Sequence, residues 1–399
     1  MADFTRWIAL AATACIAALS AAPIQAAETV DAAVAIIRVE REAPLPLSRL
    51  DIPAEDDGFA GGRIGLDDNN TTGRFLGHVY TLREETTAPE GVAALAEALA
   101  ADDVKVWIVD APAEALLTLA DSAAASGAIL FNATAPDDRL RGEACRANLF
   151  HVAPSRAMLA DGVAQYMIWK KWTEWALVEG SHPEDKLLAD AYRRAARKFG
   201  AKIIDELVFE DTGGARRSDS GHVLVQRQMP VFMQDADDHD VVIAADESGV
   251  FGEYLPYRGW TARPVAGSAG LEARSWHPAH EAYGATQVQR RFERSAGRRM
   301  SDVDYGVWLS MRAVGEAVTR TASADPAVLR DYLLSEDFEI AGFKGQALDF
   351  RPWNNQLRQG ILLAGGKLVV SISPQEGFLH QKKQLDTLGY DEPESDCAF

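Results

Sequence analysis

The 399-residue chain contains only three cysteines, and none stands in a CxxC pair or at a Cys/His spacing that would hold a metal ion. Basic residues are also scarce: 40 Lys and Arg stand against 59 Asp and Glu, a formal net charge of −19. This deficit excludes nucleic acid and anionic membrane surfaces as principal partners, because both would repel the chain, and an anionic ligand would need a local basic pocket. Past residue 22 no segment offers about 18 consecutive apolar residues, so no later membrane span is expected. Catalytic signatures are lacking too. No GxGxxG opens a helix, no GxxxxGK[ST] occurs, and Gly267-Ser268-Ala269-Gly270 has the wrong spacing for a GxSxG elbow. His280-Glu281 has no second His at the zincin distance. Asp68, Asn70, Thr72 and Gly73 open like a calcium loop, but Val79 stands where a bidentate glutamate is required. A non-enzymatic protein with no required cofactor is expected.

What is present is the composition of a globular protein, 47% hydrophobic and 25% charged, with length for two to three domains at roughly 150 residues each. Arg6 precedes an uncharged run over residues 7–22, followed by Pro23 and the small Ala26 and Ala27, the order of a secretory signal peptide. A signal peptide over 1–27 and a soluble, exported, periplasmic protein are therefore expected; an uncleaved N-terminal anchor is the competing reading. Its removal leaves Cys145 and Cys397, which in an oxidising compartment form either one disulfide or two unpaired thiols, the former being simpler.

Short apolar strands are predicted at 30–39, 104–109 and 128–131, alternating with Ala- and Leu-rich helices at 92–101 and 114–126. The pattern restarts after Pro154 and Ser155 with a helix at 158–169, a strand at 174–178, an amphipathic helix at 184–199, and strands at 202–209 and 241–245. Helices over 301–320 and around Asp331 follow, then a hairpin within 356–373 turning at Gly365-Gly366. Such alternation predicts parallel sheets covered by helices, with two α/β units joined by several crossings as the simplest architecture and one large doubly wound sheet as the alternative. Asp235, Asp237, Asp238, His239 and Asp240 are read as a solvated loop rather than a cation site, and Trp169, Trp172 and Trp175 as core packing rather than a ligand platform.

Three segments carry a resemblance: Asp57-Gly58-Phe59-Ala60-Gly61-Gly62-Arg63-Ile64-Gly65-Leu66-Asp67-Asp68-Asn69-Asn70-Thr71-Thr72-Gly73, then Trp353-Asn354-Asn355-Gln356-Leu357-Arg358-Gln359, and the tail Ser373-Pro374-Gln375-Glu376-Gly377-Phe378-Leu379-His380 with Asp386-Thr387-Leu388-Gly389. Through them the chain resembles a type I periplasmic binding protein of the branched-chain amino acid class, the substrate-binding component of an ABC transporter. More narrowly it resembles the subgroup encoded with dehydrogenase systems that use pyrroloquinoline quinone (PQQ). The resemblance implies two Rossmann-like α/β lobes joined by a three-crossover hinge: lobe 1 from 28–153 plus 276–340, lobe 2 from 154–275 plus 341–385, and a tail from 386–399. It implies a small-molecule ligand in the cleft and an ABC transporter permease as partner. Carrying the cleft loops over position by position gives Ala111 to Glu114, Thr134 within 133–135, His182 within 181–183, Glu247 beside Asp246, Ser268 within 267–271, and Tyr305. The hydroxyl-rich loop that grips an α-carboxylate in amino-acid binders is here Ala111-Pro112-Ala113-Glu114, and the position of the ammonium-binding glutamate falls near Ser268. The subgroup implies PQQ as ligand, a flat tricarboxylate for which Arg63, Arg156, Arg274 and Trp276 are available as cations and an aromatic face. An amino acid or alcohol-derived ligand, or an exported sensor or scaffold that binds a quinoprotein dehydrogenase, are the alternatives.

Overall fold

The structure is a computed structural model and describes residues 29–41, 52–212 and 219–399. The expected signal peptide lies outside the described residues.

The first lobe begins with β1 (Val30–Val39), α1 (Phe59–Leu76), β2 (His78–Thr87), α2 (Val92–Ala101), β3 (Val106–Asp110), α3 (Ala113–Ser126), β4 (Ile129–Asn132) and β5 (Leu149–His151). Its five strands lie in the order β2-β1-β3-β4-β5, all parallel. β3 and β4 read as unbroken apolar runs because both faces of the sheet are covered. One face packs on α2 and α3. The other packs on α1 and on helices that arrive late in the chain: α8 (Ala285–Ala296), α9 (Asp302–Thr321) and α10 (Pro326–Leu333). Here the glycines of the 57–73 segment find their reason. A Cβ on Gly61 would collide with the Asp304 carbonyl, and one on Gly65 with the Met311 side chain, so α1 lies against α9 at a distance only glycine permits.

The second lobe holds α4 (Arg156–Trp169), β6 (Glu174–Gly180), α5 (Pro183–Phe199), β7 (Lys202–Phe209), α6 (Asp219–Phe232), β8 (Val241–Ala245), α7 (Leu255–Arg258), β9 (Val265–Gly267) and β10 (Leu271–Arg274). Its sheet is completed by the antiparallel hairpin β13 (Ile361–Gly365) and β14 (Leu368–Ser373), in the order β14-β13-β10-β9-β8-β6-β7. A two-stranded piece, β11 (Ile340–Ala341) with β12 (Ala347–Leu348), lies on the way between lobes. α4 and α5 cover one face of the large sheet, α6 and α7 the other.

The chain crosses between lobes after β5, after β10 and again between β12 and β13. The first and third crossings are laced together. Leu357 N–H donates to the His151 carbonyl at 2.8 Å, His151 N–H to Asn355 at 2.9 Å, and the Gln356 amide to the His151 and Ala153 carbonyls at 3.1 and 3.2 Å. The Trp353–Gln359 motif is thus hinge. Buried Asp386 receives Arg351 Nε at 2.9 Å and Arg358 Nε at 2.7 Å, fixing the tail to the same hinge. Asp240 accepts the Thr173 and Glu174 N–H groups at 2.9 and 3.0 Å, which gives the 235–240 loop a role in starting β6. Trp175 is fully buried with its indole N–H on the Trp172 carbonyl, whereas Trp169 is largely exposed. Cys145 and Cys397 are joined in a disulfide with a Cα–Cα distance of 5.7 Å.

Candidate functional site

Between the lobes lies a cavity of about 370 Å³. Its walls come from the loop after β4 (Ala133, Thr134, Pro136), Pro154 with the first turn of α4 (Arg156, Leu159), the ends of β8 and β9 (Asp246, Glu247, Gly267, Ser268), β10 with Ser275, the inward face of α5 (Leu188, Tyr192), and the start of α9 (Asp302, Val303). These are the carboxyl ends of parallel strands and the helix starts that follow them, where α/β sheets leave a crevice.

Each polar wall residue is held by local chemistry. Arg156 is buried and donates through Nε and Nη2 to the two oxygens of Glu247, both at 2.6 Å, with Asp137 at 3.2 Å from Nη1. Burial by itself would lower the pKa of this guanidinium, but Glu247 and Asp137 outweigh it and hold it above its ordinary value. Arg274 pairs with Glu272 and lies 3.4 Å from Asp302. Asp302 in turn receives Ser275 Oγ at 2.6 Å and the Trp276 N–H at 2.7 Å. Asp246 is buried, which raises its pKa, while the backbone N–H groups of Gly252, Val250 and Phe251 stabilise its charge. Ser268 Oγ accepts the Asp246 N–H at 3.0 Å and donates to the Ala244 carbonyl. Gly267 has φ +118°, and a Cβ there would strike the Ala244 carbonyl, so the cavity floor requires glycine.

The N–H groups that could receive an anion after β4 are already engaged, since Asn132 Oδ1 takes those of Thr134 and Ala135 at 3.2 and 2.8 Å. Thr134 Oγ1 donates to Asp110 at 2.8 Å. The lining residues include four carboxylates, Asp246, Glu247, Glu272 and Asp302, and two guanidiniums, Arg156 and Arg274, an excess of two negative charges. Leu159, Leu188 and Tyr192 supply an apolar wall.

Of the residues carried over from sequence, Thr134 with Ala133, Arg156, Glu247 with Asp246, Ser268 with Gly267, and Arg274 line this cavity, whereas Arg63, Ala111, Glu114, His182, Trp276 and Tyr305 lie elsewhere. Arg63 is half exposed on the outside of α1, paired with Glu84 at 2.6 Å; it is not a cleft cation. Trp276 is 1% exposed, its ring stacked on Tyr305 at 4.7 Å and its indole N–H on Gln289 at 3.1 Å, so it offers no open face. Tyr305 is equally enclosed, its hydroxyl on the Gly342 carbonyl at 2.8 Å and its pKa raised by burial. Ala111 is buried in the core, Glu114 is exposed and pairs with Arg139 at 2.7 Å, and His182 pairs with Asp211 at 2.9 Å, which raises its pKa. Sequence reasoning missed Leu188 and Tyr192, although their i, i+4 spacing puts them on one face of an amphipathic helix. It also missed Glu272 and Asp302, which carry no local signal.

Residues 55–218 match the family model described as periplasmic binding protein. A periplasmic binding protein from Burkholderia mallei superposes with a TM-score of 0.66 at 16% identity, covering 93% of this chain and 99% of that one. The leucine-, isoleucine-, valine-, threonine- and alanine-binding protein of Brucella ovis, in its closed conformation, gives 0.66 at 14% identity, covering 85% and 90%. A Desulfitobacterium hafniense ABC transporter substrate-binding protein in complex with Leu gives 0.61 at 15%, covering 86% and 99%. No curated protein matches the chain. At these identities the structural likeness establishes the fold: the chain has the type I periplasmic binding protein fold, two α/β lobes around a cleft. The family match covers the 57–73 segment, and the resemblance to periplasmic binding proteins read from it agrees with that match.

Proposed function

We propose that the protein captures a small solute in the interlobe cavity and delivers it to an ABC transporter permease, acting by binding and release without turnover and without a cofactor. The observation that supports this reading is a cavity walled by both lobes at the carboxyl ends of their strands, beside three crossings, so that ligand contacts made by both lobes favour the closed arrangement. The charges favour a ligand with an ammonium head group, attracted by the two-carboxylate excess, and a short apolar body against Leu159, Leu188 and Tyr192. The solved proteins named for leucine and other amino acids are in keeping with that class. PQQ fits less well: among the described residues its three carboxylates would meet two guanidiniums, both already paired within the protein. The scaffold reading, in which the chain binds a quinoprotein dehydrogenase directly, rests on the subgroup resemblance alone.

Titration calorimetry with leucine, a primary amine of similar size and PQQ tests the assignment. Saturable one-to-one heat with leucine or the amine is expected, and a ligand at 100 times its Kd should stabilise the fold by about 2.7 kcal/mol. Tight binding of PQQ alone would overturn the ligand class, and multiple turnover of a bound compound would overturn the binding-protein reading.

A further inference from the structure

The two ends of the C-terminal tail are held on different lobes. Gly389 is fixed to the second: its N–H donates to Asp161 Oδ2 on α4 at 2.8 Å, and its carbonyl accepts from Arg194 and Lys198 on α5 at 2.7 and 2.8 Å. Asp161 is itself fully buried and ion-paired with the same two cations at 3.0 and 2.8 Å, so this anchor is firm. Eight residues later Cys397 is bonded to Cys145 in the connection between β4 and β5. That connection belongs to the first lobe, for its Leu140 sits in the core under the first sheet and its Arg146 pairs with Asp121 on α3. The span between the anchors is itself held in place. Tyr390 lies beneath the Arg194 guanidinium at 4.0 Å, Asp391 and Glu394 cap a tight turn between them, and Glu394 accepts from Arg194 at 3.1 Å. On its way the tail walls a second interlobe cavity, of about 640 Å³, opposite Arg139 and Arg141 of the first lobe.

We infer that the tail is a covalent strap, a fourth link between lobes that limits how far they separate in the ligand-free protein. Three backbone crossings leave opening to rotations within their own residues. A bonded strap adds a hard stop, because eight residues reach at most about 28 Å when fully extended, and the three beyond Glu394 only about 10 Å while its ion pair holds.

The test lengthens the strap without cutting it. Inserting Gly-Gly-Ser-Gly-Gly-Ser between Asp396 and Cys397 adds up to about 20 Å of reach and leaves the disulfide in place, as intact mass would verify. A parallel variant, C145S/C397S, removes the bond. Small-angle X-ray scattering of the full ligand-free chain should show a larger radius of gyration for the insertion variant than for wild type, and a similar or larger one for the double serine variant. An insertion variant with unchanged radius overturns the strap. If the double serine variant then has only a lower melting temperature, the bond stabilises the fold and nothing more.

Discussion

Replacing Lys344 by methionine should stabilise the protein at neutral pH and destabilise it in base. Lys344 lies between β11 and β12, 4% exposed, with its Nζ donating to Gln359 Oε1 at 2.7 Å and standing 4.7 Å from the Tyr305 ring centre. Burial lowers its pKa from 10.5 to about 7, against the opposing pull of Asp302. The folded amine is therefore largely neutral above pH 7, whereas the unfolded one holds its proton up to about 10.5. Between those limits the unfolded chain binds more protons, so stability rises with pH across the window, and the penalty is fully present below it. At about 1.36 kcal/mol per pH unit the penalty approaches 5 kcal/mol at its low-pH limit, slightly less at pH 7, and falls below about 1 kcal/mol near pH 10. Lys344→Met removes the penalty but strands Gln359 Oε1, a loss of about 1 to 3 kcal/mol. The balance predicts a variant more stable than wild type by about 1 to 3 kcal/mol at pH 7 and less stable by up to about 2 kcal/mol at pH 10. Urea unfolding of both proteins at half-unit pH steps reads the crossing directly. A difference between the two that stays constant from pH 7 to 10 would refute the reasoning, because only the titration of this amine can bend it.

Asp386→Ala leaves Arg351 and Arg358 buried around a missing charge and should cost about 3 to 5 kcal/mol in urea unfolding; a loss under about 1 kcal/mol would mean that water replaces the carboxylate. Gly65→Ala forces α1 off Met311 and should cost about 1 to 3 kcal/mol by the same measurement. Arg63→Ala, by contrast, removes an exposed pair and should change stability by less than about 1 kcal/mol. The same variant should leave leucine or amine affinity unchanged in calorimetry, and a tenfold weakening would put Arg63 at the site after all.

The alternation of elements was legible because β3, β4, β6 and β8 each hold an apolar run of three to five residues, and α5 carries both a helical period and charges placed to suit its ends. β2 was not legible, since Arg83, Glu84 and Glu85 interrupt it, as an edge strand with one open side allows. The glycines of 57–73 could be seen but not explained until α9, some 240 residues later, was found lying on them.

The sequence by itself determined that strands and helices would alternate in α/β fashion, because apolar period and helix caps act within a dozen residues, whereas the division of the strands into two sheets was decided by the tertiary structure. The sequence also determined which loops end at the strands' carboxyl edges. Only the tertiary structure decided which cations face the cleft. Arg63, Arg156 and Arg274 are indistinguishable as residues, and what separates them is the partner each meets: Glu84 on the outer surface, Glu247 across 91 residues of chain, and Glu272 with Asp302 from the returning α9. It likewise turned Trp276 and Tyr305 from ligand candidates into a stacked pair in the core, because burying two large rings against each other removes more apolar surface from water than leaving them at a charged cavity wall.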